Sequence, residues 1–222
     1  VSPSERFHVI PRAITEEMIQ EILDGYGKVA KRLEKAGVDG VEIVASHGYL
    51  PAQFLNPTVN RREDKWGGSE ENRRRFLIEA IGKARAATGS KFIVGLRISG
   101  DEQYEDGFSK SGTLDTIKPV SSATDHVSLV DGTSATLGVS VHIVPPMYYE
   151  PGYVAPFSAR LKEIIDIPVI VTGRINQPHE AEKILKNNAA DMCGMTRAMI
   201  CDPQSEEHTS ELPVTDDNLV CR

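Results

Sequence analysis

A short β-branched run followed by an amphipathic helical pattern recurs along the whole chain, and this alternation restricts the fold more than any other feature. Thr15 to Ala36 carries apolar residues at Met18, Ile22, Tyr26, Val29, Leu33 and Ala36, spaced to share one helical face. Thr15 can cap the start, Glu16 and Glu17 suit the first turn, and Gly37 supplies the stop. The next run, Val38–Ala45, reads as a strand covered on both faces. A helix over Glu70–Ala87, burying Phe76, Leu77, Ala80, Ile81 and Ala84, then leads into a strand at Lys91–Ile98. Further strands are expected at Val127–Val130, Pro168–Thr172 and Ala190–Met195, with helices at Phe157–Ile165 and Pro178–Asn187. Parallel strands need crossover helices to join them, so the class is α/β, either a barrel or a doubly wound sheet.

The polar residues favour the barrel. No Gly-x-Gly-x-x-Gly follows the first strand, as an open dinucleotide-binding sheet would usually show. Polar groups instead fall at the carboxyl ends of several strands, where a (β/α)8 barrel puts its chemistry: Ser46–Tyr49, Arg97, Gly173-Arg174 and Thr196-Arg197. About five strand–helix units can be counted, against the eight of a closed barrel. The chain is therefore expected to be incomplete, with N-terminal strands missing. Residues 1–204 read as one partial barrel domain. The formal charge of −7 weighs against a phosphate-backbone binder and points to a small-molecule partner. No window approaches a membrane span and no signal peptide is evident, so a cytoplasmic chain is expected, with oligomer formation left open. Cys193, Cys201 and Cys221 are too few for a disulfide framework and read as reduced thiols, and no metal site is predicted.

The stretch from Gly48 to Ser69 is long for a β–α loop, and such loops are usually functional or disordered. Its aromatics argue against disorder. Ser69 or Asn72 can cap the helix that follows, while Arg61, Arg62, Asp64 and Arg73 can pair among themselves as a loop lock.

Residues Gly37 to Phe76, "GVDGVEIVASHGYLPAQFLNPTVNRREDKWGGSEENRRRF", resemble the signature stretch of the Old Yellow Enzyme family. "FIVGLRIS", "PVIVTGRI" and "ADMCGMTRAMICDP" continue the likeness in order, closest to the NADH:flavin oxidoreductase branch with 2,4-dienoyl-CoA reductase and trimethylamine dehydrogenase. The resemblance implies a (β/α)8 barrel holding FMN at its carboxyl-end mouth, with NAD(P)H as co-substrate. It implies that Gly173, Arg174 and Arg197 hold the phosphate end, that Gly194 belongs to the cofactor site, and that Arg97 faces the flavin edge where negative charge collects. The alternative for Arg97 is a buried ion pair with a carboxylate such as Glu42. Tyr49 matches the proton donor of the dienoyl-CoA reductases, with His47 and His142 as its catalytic companions. Val44-Ala45-Ser46-His47 departs from the family's His-x-x-His or His-x-x-Asn, so only the second donor is present. His8, His126, His179 and His208 receive no role. Met147, Tyr148, Tyr149 and Tyr153 either floor the substrate pocket or pack as an ordinary loop. A 4Fe-4S centre and an FAD region are expected only in a longer parent, and residues 205–222 read as a non-family tail. A phosphate-binding barrel aldolase or isomerase, and an inactive fragment, are the alternatives.

Overall fold

The computed structural model describes residues 10–103, 105–133 and 140–203. Helix α1 (Glu16–Lys35) begins where the Thr15 hydroxyl accepts the Met18 N–H at 3.3 Å. It ends in a Schellman motif: the Val38 N–H reaches the Leu33 carbonyl and the Gly37 N–H the Glu34 carbonyl, with Gly37 at φ 82°. The buried face is rotated from the expected one, because Ile19, Leu23, Gly27 and Ala30 are inside while Met18 and Val29 are half exposed. Gly27 explains the shift. A Cβ there would stand 3.0 Å from the Lys83 carbonyl oxygen, so its absence lets α1 settle on α3 (Glu70–Ala87). In α3 the five expected residues are all buried, and Ser69 rather than Asn72 provides the cap.

Five strands, β1 (Gly40–Ala45), β2 (Ile93–Ser99), β3 (Val127–Val130), β4 (Val169–Thr172) and β5 (Met192–Gly194), pair in parallel in the order of the sequence. A doubly wound sheet would reverse direction part-way; unbroken sequential order is the winding of a barrel wall. The crossovers include α4 (Lys110–Val120), α5 (Ala155–Lys162) and α6 (Pro178–Lys186), and α2 (Leu50–Leu55) and α7 (Thr196–Cys201) follow β1 and β5. The sequence reading missed α2 and α4, as Gly112 and Pro119 obscure the helical signal of α4.

The helices cover the outer face of the strands, and β3 is buried at all four of its residues. Val94, Leu96, Ile98, Val127, Leu129, Val169 and Val171 form one core with Leu77, Ile81, Ile117, Phe157 and Leu161 of the helices. The register puts Glu42, Arg97, Ser128 and Thr172 on the opposite face, the inner wall of the barrel arc. The expectation that Val38–Ala45 is covered on both faces is corrected for β1, whose Glu42 and Val44 stay half-buried on the inner wall. Between α1, α2 and α3 lies a second core of Ile19, Leu23, Phe54, Trp66, Phe76 and Ala80. Phe54 and Phe76 stack at 4.3 Å, and the Trp66 indole N–H donates to Glu16.

The long loop is largely architectural. Arg62 and Asp64 pair as expected, but Arg61 and Arg73 donate to the Thr58 and Gly68 carbonyls instead of to carboxylates. Asn60 ties the Phe54 and Trp66 carbonyls together at 2.8 and 2.7 Å. Among the described residues, no helix is long and apolar enough to cross a membrane. Cys193 is a free thiol and Cys201 is not, which limits the expectation of reduced thiols to the first. Cys221, His8, His208 and the tail from 205 lie outside the described residues.

Candidate active site

The carboxyl ends of the strands open on a cavity of 190 Å³ lined by side chains from all five strand ends. Of the residues singled out in the sequence, His47, Arg97, His142, Gly173, Arg174, Gly194 and Arg197 all line it. Three guanidinium groups therefore meet at one cavity. Tyr49 is not brought in: it precedes α2, outside the cavity lining, and is 60% exposed. Of the aromatic loop, Tyr153 reaches the cavity, whereas Met147 and Tyr148 face solvent.

Each arginine is held differently. Arg174 takes a left-handed φ of 52° and donates to the Tyr149 carbonyl at 2.6 Å, while Arg197 donates to the Pro145 carbonyl at 3.4 Å. Each keeps further donors for a ligand. Among the described residues, the Arg97 guanidinium forms no hydrogen bond, and its ion-pair partner is Glu42 at 3.9 Å. Arg97 lines the cavity and also faces Glu42, the carboxylate weighed as its partner in the sequence. The glycines serve packing as well as access. A Cβ on Gly173 would lie 2.7 Å from Val154 Cγ2, and one on Gly194 would lie 2.3 Å from Thr172 Oγ1.

His47 also has a left-handed backbone, φ 56°, and its N–H donates to Ser99 Oγ at 3.1 Å. Ser99 in turn donates to the Gly132 carbonyl at 2.8 Å, joining the ends of three strands. Burial, aided by the Arg97 charge, lowers the His47 pKa to about 4, so its ring is neutral at neutral pH. Stability held above the ordinary imidazole range should therefore fall between about pH 6.5 and pH 4, by up to about 3 kcal/mol. His47→Asn, which tolerates the same φ, should flatten that acid limb in urea melts at stepped pH. An unchanged limb would assign the loss to other groups. His142 is likewise shifted down, mainly by burial, and its Nδ1 stands 2.7 Å from the Tyr149 hydroxyl.

Sequence reasoning missed Asp131. It follows β3 and lines the cavity, with Oδ1 accepting the Asp101 N–H at 3.0 Å and Oδ2 accepting from Gln103 Nε2 at 2.9 Å. Burial outweighs these bonds and pushes its pKa up to about 7, with the nearby Asp101 charge adding to the rise. A carboxyl group poised there gives or takes a proton at neutral pH. The available signal was an acid directly after an apolar strand, at its carboxyl end.

A singly wound parallel wall with a cationic, partly protonatable cavity at its carboxyl ends defines a β/α-barrel domain suited to an anionic ligand. Residues 3–211 match the NADH:flavin oxidoreductase / NADH oxidase family, and the chain belongs to that family. It is 39% identical over 198 residues to the N,N-dimethylglycine/sarcosine dehydrogenase of Chromohalobacter salexigens, covering 86% of this chain and 28% of that protein. It superimposes on 2-naphthoyl-CoA reductase in complex with 2-naphthoyl-CoA with a TM-score of 0.81 at 30% identity, covering 90% of this chain and 30% of the other. The old yellow enzyme homologue from Zymomonas mobilis, with a TM-score of 0.74 at 23% identity over 94% of this chain and 56% of the other, shares the fold. The chain thus spans less than a third of the first two proteins and just over half of the last.

Proposed function

We propose that this chain forms part of the FMN site of an NAD(P)H:flavin oxidoreductase. Its reaction passes hydride between a nicotinamide or an oxidisable amine, the flavin, and an activated alkene or an electron acceptor. The observation that carries the reading is the meeting of Arg97, Arg174 and Arg197 at one cavity. The donor set fits FMN: two arginines with spare donors suit a phosphate monoester, and Arg97, with no hydrogen bond among the described residues, suits the electron-rich edge of the ring. When bound, FMN would supply the two-electron carrier. Gly173 and Gly194 keep the cavity wall free of side chains beside those arginines.

Around that group this chain handles charge and protons. Arg97 holds a fixed positive charge toward the flavin edge. His47, neutral at working pH, orients a substrate by hydrogen bonding and not as an acid. Asp131 takes or returns a proton near neutrality, and His142, in hydrogen-bond reach of Tyr149, is the second proton-handling group. Tyr49, exposed outside the cavity lining two residues after His47, keeps the proton-donor role only as what the family resemblance implies. The partners are small molecules and the compartment is the cytoplasm, the −7 charge weighing against nucleic acid.

The test is a titration of the chain with FMN followed by flavin fluorescence. Saturable quenching is expected, and Arg174→Gln or Arg197→Gln should each weaken it about 10- to 100-fold, the scale of a hydrogen bond to a charged group. A wild-type chain that leaves FMN fluorescence unchanged would end this reading.

A further inference from the structure

Below the cavity, the inner wall carries a polar cluster that the proposed chemistry does not use. Glu42 on β1 faces Arg97 of β2 through Oε2 at 3.9 Å. Its other oxygen, Oε1, lies 3.1 Å from His126 Nε2 and accepts the Ser128 hydroxyl proton. Strand β3 thus reaches a residue on β1 across the intervening β2. It does so at Gly95, where a Cβ would lie 2.1 Å from the His126 ring, so only glycine leaves room for the imidazole. The register agrees, since Glu42 pairs with Gly95 and Arg97 with Ser128. Three strands therefore cooperate to fix one carboxylate beside the cationic wall of the cavity.

We propose that Glu42 is a positioning residue for Arg97, aiming its guanidinium at the cavity and offsetting part of its charge, so that it restrains the preference of the site for reduced over oxidised flavin. This rests on the FMN reading above. Arg97 has no hydrogen bond among the described residues, and the nearby carboxylate is its ion-pair partner there. A carboxylate clamped by His126 and Ser128 cannot swing away to take a full salt bridge, which leaves the Arg97 donors for the ligand. Removing its charge leaves the arginine less compensated, and the more electron-rich form of the flavin gains.

The experiment compares wild type with Glu42→Gln, which keeps size and an acceptor for Ser128. Two readouts are taken: the Arg97 side-chain ¹⁵Nε resonance without FMN, and the midpoint potential of bound FMN. Glu42→Gln is expected to move the Arg97 resonance and to raise the reduced-over-oxidised affinity ratio about tenfold, about 30 mV upward for a two-electron couple. Glu42→Asp should return part of the shift. A folded Glu42→Gln protein with both readouts unchanged overturns the proposal. Should wild type bind no FMN, the FMN reading fails by itself, and an unmoved Arg97 resonance still overturns the Glu42–Arg97 coupling. Should Glu42→Gln fail to fold, Ser128→Ala takes its place: it frees one anchor of Glu42 and must shift the Arg97 resonance, or the proposal is wrong.

Discussion

Asp131→Asn is expected to gain stability over wild type as pH rises, the gap widening by about 4 kcal/mol between about pH 3.5 and pH 8. The sign follows from the raised carboxyl. Below the ordinary carboxylate range Asp131 is protonated folded or unfolded, so the two proteins differ only by constant terms. Between there and its folded value of about 7, the unfolded chain gives up the proton first, and wild-type stability falls throughout that interval. Asparagine carries no charge to bury. Its carbonyl can still accept the Asp101 N–H, and the Gln103 amide can turn to meet its amino group. Urea midpoints at stepped pH measure the gap. Two curves running parallel from acid to alkaline pH would mean that Asp131 titrates like an ordinary surface acid, and its part in proton handling would go with it.

Trp66→Ala should cost about 3–5 kcal/mol, the range for emptying a large aromatic site in a core. Trp66 is 0% exposed, meets Phe54 and Phe76 edge-on at 6.3 and 6.4 Å, and secures the start of α1 through Glu16. It also pins the loop that leaves the His47 strand, because Asn60 links its carbonyl to that of Phe54. The matched control is Arg73→Ala, an exposed bond to the Gly68 carbonyl, expected to change stability by under about 0.5 kcal/mol. Similar urea midpoints for the two variants would show that the aromatic cluster is not what anchors the loop.

Much of the arrangement was readable in advance, and the misses have physical causes. The β3 bounds agree with a short run buried at every residue, and the buried face of α3 agrees with its helical periodicity because it packs along one apolar stripe. The face of α1 came out rotated, because a helix axis approaches its neighbour at its smallest residue, and hydrophobicity alone does not weigh Gly27. Placing Arg97, Arg174 and Arg197 at strand ends was enough to anticipate that they converge, since parallel winding sends every carboxyl end to the same side. Tyr49 stayed outside the cavity because α2 starts immediately after it and carries the chain away.

The amino-acid order by itself determined the alternation of strand and helix and the edge of the sheet on which the arginines lie, because those follow from local period and from crossover geometry. Only the tertiary structure decided which neighbours each charge meets. Asp131 and His47 leave their ordinary titration ranges because residues distant in sequence strip them of water, and His126, just before β3, reaches Glu42 because Gly95 leaves room for its imidazole. Desolvation and cross-strand contact are properties of packed neighbours, and no periodicity along the chain records them.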